Sequence, residues 1–483
     1  MTDALTVLVA DPEARVVESP TGTWIVSGLD TGGLAALDRI DGVGQGEWHE
    51  WNLATDERTV ERIDSLSPAG RTAPDRAPVA IEDAVDDVLA RADVDDAFNL
   101  YSGGVDSTLT QTFVDPDAEM LNVGIDAAEY RFEMEYAREG AAHFDGAFEQ
   151  AVLSEADLLE HLEASVAATG SPSCPFQIVL LNEAFARREG RPYLMAVGAD
   201  SIFGNTGTKG ARVADWLSPL VGSPLAGPAA AAAPDPVGSY LGWLAELDGQ
   251  LGRKPASPGS YAQQYSTYTN PELVASLFDE GLVADRCRRQ VAYARDRIEL
   301  DETAGRFGRQ AALRHALLVF GHRVGARWRQ LAFAHGNSLI APFETRRLLE
   351  CAASVPADER FVQGIAGLRD LSTKYLLKRT LENRLPAYDT GREKGAGVLP
   401  FERYVDSGPL ADVFETYDPP AFATAERCRA VLDDGGRQGW NLVTYAIWRD
   451  RVLDNPDLTV VPSTERLEWT TPTADGPTTS VER

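Results

Sequence analysis

Apolar and polar positions change their period along this chain. Residues 1 to about 75 hold short strand-like runs, Leu5-Thr6-Val7-Leu8-Val9 and Thr23-Trp24-Ile25-Val26, between Asp-Pro, Gly and Asp-Gly turns. That pattern predicts a small β-rich module, which closes near Ser67-Pro68-Ala69-Gly70 and is followed by the linker Ala73-Pro74-Asp75. Residues 80–92 then alternate apolar and acidic groups at helical spacing. Beyond them strand and helix patterns alternate. Asp96-Ala97-Phe98-Asn99-Leu100, Met120 to Asp126 and Pro192 to Val197 read as strands, and Thr108 to Phe113, Glu129 to Phe144 and Gln177 to Gly190 as helices. Such alternation predicts an α/β fold, a parallel sheet with helices on both faces.

From about 214 to 262 the pattern weakens, and the Gly-Pro-Ala stretch Gly222 to Pro236 reads as a flexible surface insertion. Helical segments resume between about 272 and 385, notably Gln310 to Ala334, and give the domain a helical C-terminal part. From about 456 the chain is rich in Thr, Pro and Glu, with little to bury. The expected layout is a β-rich module over 1–75, a main domain over 80–455 and a polar tail over 456–483.

Composition adds three constraints. A length of 483 residues with 44% hydrophobic content supports a large core that folds without disulfides or metals. The formal net charge is −29, and only Lys209, Lys254, Lys374, Lys378 and Lys394 among the 45 basic residues are lysine. An acidic, lysine-poor surface suits a halophilic cytoplasm, as in haloarchaea; the alternative is an acidic protein of a GC-rich mesophile. Either way it disfavours nucleic-acid binding and anionic membranes. Cys174, Cys287, Cys351 and Cys428 form no Cys-x-x-Cys pair, so no zinc, iron–sulfur or redox site is implied. No secretory leader and no apolar window of about eighteen residues is present, which points to a soluble cytoplasmic protein.

The chemistry concentrates in Tyr101-Ser102-Gly103-Gly104-Val105-Asp106-Ser107-Thr108, between a strand and a helix. A turn rich in glycine and hydroxyls presents backbone N–H groups to an anion, so this is a candidate phosphate cradle. Gly103 and Gly104 would let the backbone come close, Ser102 and Ser107 would add hydroxyls, and Asp106 can hold magnesium. The plainer reading is a tight turn with Asp106 complementing a helix dipole. The lysine and glycine spacing of a Walker A loop is absent. A second polar turn, Gly198-Ala199-Asp200-Ser201-Ile202-Phe203-Gly204, follows the strand at 192–197. Ligands in parallel sheets collect at the carboxyl ends of strands, so the two turns can face one site. His315 and His322 stand seven apart in an expected helix, a spacing that could bring them to one face, and with no further ligand they read as packing or surface groups.

These blocks resemble the asparagine synthetase family, within the PP-loop ATP pyrophosphatases (adenine nucleotide alpha hydrolase-like fold), over roughly 80 to 450. Ser102 to Ser107 resembles the pyrophosphate loop. Leu121-Asn122-Val123-Gly124 is similar to the strand whose backbone receives adenine, and Gly198 to Gly204 to the family's Gly-x-Asp-Glu-x-Phe-Gly-Gly turn, whose aspartate shares the magnesium. Ala341-Pro342-Phe343, Arg346 to Glu350, Lys374-Tyr375-Leu376-Leu377-Lys378 and Arg392-Glu393-Lys394-Gly395-Ala396-Gly397 resemble the helical part that closes the site.

The resemblance implies ATP and Mg2+ as cofactors. Ser102, Gly103, Gly104, Asp106, Ser107, Val123, Gly124 and Gly198 would bind the nucleotide, and Asp106 and Asp200 the metal. Lys394 and Lys374 would be catalytic. Attack of an amine on an acyl-adenylate passes through an oxyanion, for which Lys394 is the candidate cation, while Lys374 would contact phosphate.

Five departures matter. Glutamine-dependent members expose a cysteine after Met1, whereas Thr2 stands here and the first cysteine is Cys174. The module of about 75 residues resembles at most a reduced glutaminase. The family's Asp-Glu becomes Asp200-Ser201, the Pro-Phe-Leu-Asp block reads Pro342-Phe343-Glu344-Thr345, and Ser338 replaces a glutamate. The expected function is an ATP-dependent, AMP-forming ligase joining a small-molecule or peptide carboxylate to ammonia or another amine, with a separate glutaminase subunit as one nitrogen source. The alternative is an ATP-binding regulatory or partner-binding protein with reduced catalysis.

Overall fold

A computed structural model describes chiefly residues 72–204, 324–356, 374–392 and 400–453, with short breaks inside those spans, and the backbone of short strands near both ends. Strands β1 (Arg15–Ser19) and β2 (Gly22–Val26) form an antiparallel hairpin, and β3 (Glu47–Asn52) and β4 (Glu57–Arg62) form another. β2 covers the strand expected at Thr23 to Val26; the run at 5–9 lies outside the described residues.

Helix α1 (Ala77–Leu89) carries Pro78 in its first turn, which the fixed φ of proline suits, and buries Ala77, Ile81, Ala84, Val85 and Leu89 along one stripe. The central units then follow in order: β5 (Phe98–Leu100), α2 (Val105–Gln111), β6 (Met120–Ile125), α3 (Arg131–Ala141), β7 (Phe148–Leu153), α4 (Leu158–Thr169), α5 (Gln177–Arg187), β8 (Pro192–Leu194) and α6 (Ala199–Phe203). Helix α7 (Val324–Ala334) leads into β9 (Ser338–Ile340), and α8 (Arg346–Ser354) and α9 (Tyr375–Arg384) come next. Further helices span Phe401–Asp406, Ala425–Asp433 and Gly436–Trp448.

The five central strands form one sheet in the order β7-β6-β5-β8-β9, and every neighbouring pair is parallel. From β5 the chain steps outward to β6 and β7, then returns to place β8 on the other side of β5. The carboxyl ends of β5 and β8 therefore flank a topological switch point, where open parallel sheets bind ligands.

Helices cover both faces. Because successive side chains of a strand point to opposite faces, Tyr193 packs with Phe98, Phe185 and Leu331 while Leu194 packs with Ile81, Phe343 and Leu376. Burial of two such apolar layers is the main stabilising term of the fold.

Several elements differ from expectation. The second polar turn is a short helix, α6, bracketed by Gly198 and Gly204, both at positive φ. The strand expected over 192–197 ends at Leu194. Strands β7 and β9 and helix α4 are additional. Strand β10 (Thr459–Pro462) falls in the stretch expected as a polar tail, yet it pairs antiparallel with β1. Of the helix expected at Gln310 to Ala334, the described part is α7; the insertion at 222–236 lies mostly outside the described residues, as do His315 and His322.

Candidate active site

The loop between β5 and α2 is held by hydrogen bonds made largely within itself. Ser107 Oγ accepts from the Ser102 backbone N–H at 3.2 Å and donates to the Gly104 carbonyl at 3.2 Å, and the Ser102 and Ser107 hydroxyls lie 3.2 Å apart. Two buried groups tie it to the sheet: Asn99 donates to the Ser107 carbonyl at 3.1 Å, and the Tyr101 hydroxyl pairs with Thr108 Oγ1 at 3.0 Å. Gly103 sits at φ +70, and a Cβ there would lie 2.6 Å from the Tyr136 carbonyl of α3. Only glycine fits that close approach.

The loop also has one distant support that sequence reasoning missed. The Tyr388 hydroxyl donates to the Gly103 carbonyl at 2.5 Å, and Arg392 stacks on the Tyr136 ring with 3.6 Å from guanidinium to centroid. Tyr388 stands in an irregular segment after α9, and no local pattern marks it.

Asp106 and Asp200 arrive from the two strands at the switch point. Asp106 lies in the first turn of α2 and Asp200 in that of α6. Between them sits Lys374, whose Nζ pairs with Asp106 Oδ2 and lies 2.5 Å from Asp200 Oδ1. Burial opposes the ammonium, but the two carboxylates outweigh it and hold Lys374 above the ordinary lysine range. The Asp106 side chain is 18% exposed and that of Asp200 58%, so the cluster opens to solvent at Asp200.

The Asp200 turn is supported from farther away. Gly198 packs on Phe343 and Glu344; the Glu344 carboxylate lies against Gly325 and pairs with Arg329 at 2.8 Å. Thr345, where the resembled block has Asp, caps α8 by accepting from the Leu348 N–H, a task either residue performs. On β6, Val123 packs against the core and Gly124 lies against the Met134 thioether. Of the predicted site residues, the structure brings together Ser102, Gly103, Gly104, Asp106, Ser107, Asp200 and Lys374. Val123 and Gly124 lie on the neighbouring strand β6, Gly198 opens α6, and Lys394 lies outside the described residues.

The asparagine synthase family profile matches residues 79–448, well over half of the chain, from within α1 to the end of the Gly436–Trp448 helix. The chain belongs to the asparagine synthase family. No curated protein matches it. Membership makes this an ATP-dependent synthetase of the amidotransferase type on an α/β PP-loop-like fold. This synthase family member has, among its described residues, no helix long and apolar enough to cross a membrane. Two of its cysteines, Cys351 and Cys428, are free thiols. Burial pushes Cys351 up to about 11, the direction opposite to a nucleophilic thiolate.

Proposed function

We propose that the protein is an AMP-forming carbon–nitrogen ligase. A carboxylate oxygen of the substrate attacks the α-phosphorus of ATP, the bond to pyrophosphate breaks, and an amine then displaces AMP from the acyl carbon with loss of a proton. The observation that carries this reading is the convergence of Asp106 and Asp200 on a single cation: the Lys374 ammonium already sits between them, so two carboxylates from adjacent loops can hold one magnesium ion. That ion would neutralise charge on the departing pyrophosphate.

The protein groups have separate tasks. Ser102, Gly103, Gly104 and Ser107 surround the phosphates, and the close packing of Gly103 on α3 fixes the loop before substrate arrives. Val123, Gly124 and Gly198 border the nucleotide. Lys374 contacts phosphate, and Lys394 stabilises the oxyanion formed when the amine attacks. The nitrogen is ammonia, from solution or a separate glutaminase, or the amine of a second substrate. A reduced, non-hydrolysing module over 1–75 beside the synthetase domain over 80–455 belongs to this reading. Magnesium, a cytoplasmic location and a halophilic setting belong to the same reading.

Incubation with ATP, Mg2+, ammonia and a panel of carboxylic acids tests it. The expected products are AMP and pyrophosphate with at least one acid. Release of ADP and phosphate in their place overturns the adenylating mechanism.

A further inference from the structure

A lysine directly before the first turn of a helix is electrostatically out of place. Lys374 is the N-cap of α9, where the dipole disfavours a cation, and its backbone sits in the left-handed region at φ +55. Among the described residues only Asp96 and Lys374 are non-glycine at positive φ. Such strain persists where the surroundings over-determine it. Here the surroundings are identified: the ammonium pairs with both Asp106 and Asp200, drawn from two different loops.

An ammonium and a divalent cation want the same oxygens. Two aspartates supply two negative charges, of which the lysine neutralises one. A metal ion entering beside Lys374 would meet a fixed positive charge at contact range, screened by water mainly on the open Asp200 side and little on the Asp106 side. The ammonium can leave only if another anion accepts it, and the phosphates of ATP are such an anion.

We propose that Lys374 is a tethered counter-ion that competes with the divalent cation for Asp106 and Asp200, so that metal binds there only together with nucleotide. The inference rests on the reading of Asp106 and Asp200 as the metal-holding pair. It assigns Lys374 a second task besides contacting phosphate: it keeps the carboxylates from taking a cation alone.

The test is Mn2+ binding to the full-length protein without nucleotide, followed by the electron paramagnetic resonance signal of the free ion. Lys374→Met should bind one Mn2+ roughly a hundredfold more tightly than wild type, because a fixed cation has been removed from contact range. Lys374→Arg, which keeps the charge, should bind as weakly as wild type. Adding Asp106→Asn to Lys374→Met should abolish the gain. Lys374→Gln replaces methionine if thermal unfolding shows that the apolar side chain disturbs the fold.

Equal Mn2+ affinity in wild type and Lys374→Met, lost in both with Asp106→Asn, would overturn the competition while leaving the metal pair intact. Absence of Mn2+ binding in every protein, even with ATP, would sink the metal pair and the inference with it.

Discussion

Asp106 stands on a loop stitched together by its own serines and glycines, whereas Asp200 stands on a turn propped by Phe343, Glu344 and Arg329 from a distant part of the chain. The two carboxylates meet the same lysine, yet one is positioned chiefly by local hydrogen bonds, braced by Tyr388 and by the packing of Gly103 on α3, and the other by tertiary packing alone. A local device is rigid because each bond closes a short loop at little entropic cost; a long-range support is only as firm as the elements that carry it. The first turn should therefore fail abruptly when disturbed and the second by degrees.

Gly103→Ala should have the largest effect. The substitution places a Cβ 2.6 Å from the Tyr136 carbonyl, an atom that cannot move without α3, and adds about 1–2 kcal/mol for a left-handed alanine. A displaced loop should lower pyrophosphate release about a hundredfold or more, the cost of misplacing reacting groups by an ångström. Near-wild-type rates would show that the loop is not the rigid partner.

Gly198→Ala is the matching perturbation on the other side. Its φ of +93 brings a similar strain of about 1–2 kcal/mol, but the nearest obstacle is the Glu344 Cγ at 2.9 Å, part of a flexible side chain. Activity should fall about tenfold, or one unit of 1.4 kcal/mol in the barrier. Glu344→Ala in the same chain should recover part of it by vacating that space. A double variant no better than Gly198→Ala alone would assign the loss to backbone strain.

The same contrast governs what could be read in the sequence. Ser102 to Ser107 is legible because glycine, hydroxyl and carboxylate stand in consecutive positions and act where they stand. Asp200 is legible through the resemblance of its block, but its helical turn is not, since five residues between two glycines show no period. Lys374 was expected to contact phosphate; its pairing with two aspartates depends on a fold that joins positions far apart in the chain. β9 is three residues long and β7 is a half-polar edge strand, both too short or too mixed for periodicity to mark. Tyr388 and Glu344 act only through tertiary contacts.

The smallest effect expected is one of pH, and it should touch one side alone. The end of β8 opposite Asp200 is anchored by side chains around α5 and α7. Asn337 accepts from the Arg191 N–H and donates to the Phe185 carbonyl, and His335 Nε2 meets Asn182 Oδ1 at 3.0 Å. Asn182 in turn meets His161 Nδ1, and His161 lies 3.6 Å from Glu183, which Arg187 also pairs. Burial lowers the His335 pKa; Glu189 opposes that and His161 adds to it. A histidine depressed in the fold contributes stability above its unfolded pKa of about 6.5, and that contribution is lost as pH falls below it. His335 is half-buried, so after solvent screening the loss is less than about 1 kcal/mol. Amide exchange between pH 7 and 5.5, corrected for the intrinsic rate, should accelerate over 190–204 and stay level over 98–111, and His335→Gln should remove the difference. Among the described residues the β5 loop has no histidine in its own hydrogen bonds, and His143 reaches it only through the Tyr388 ring, so equal acceleration of both segments would mean that the two turns share one support after all.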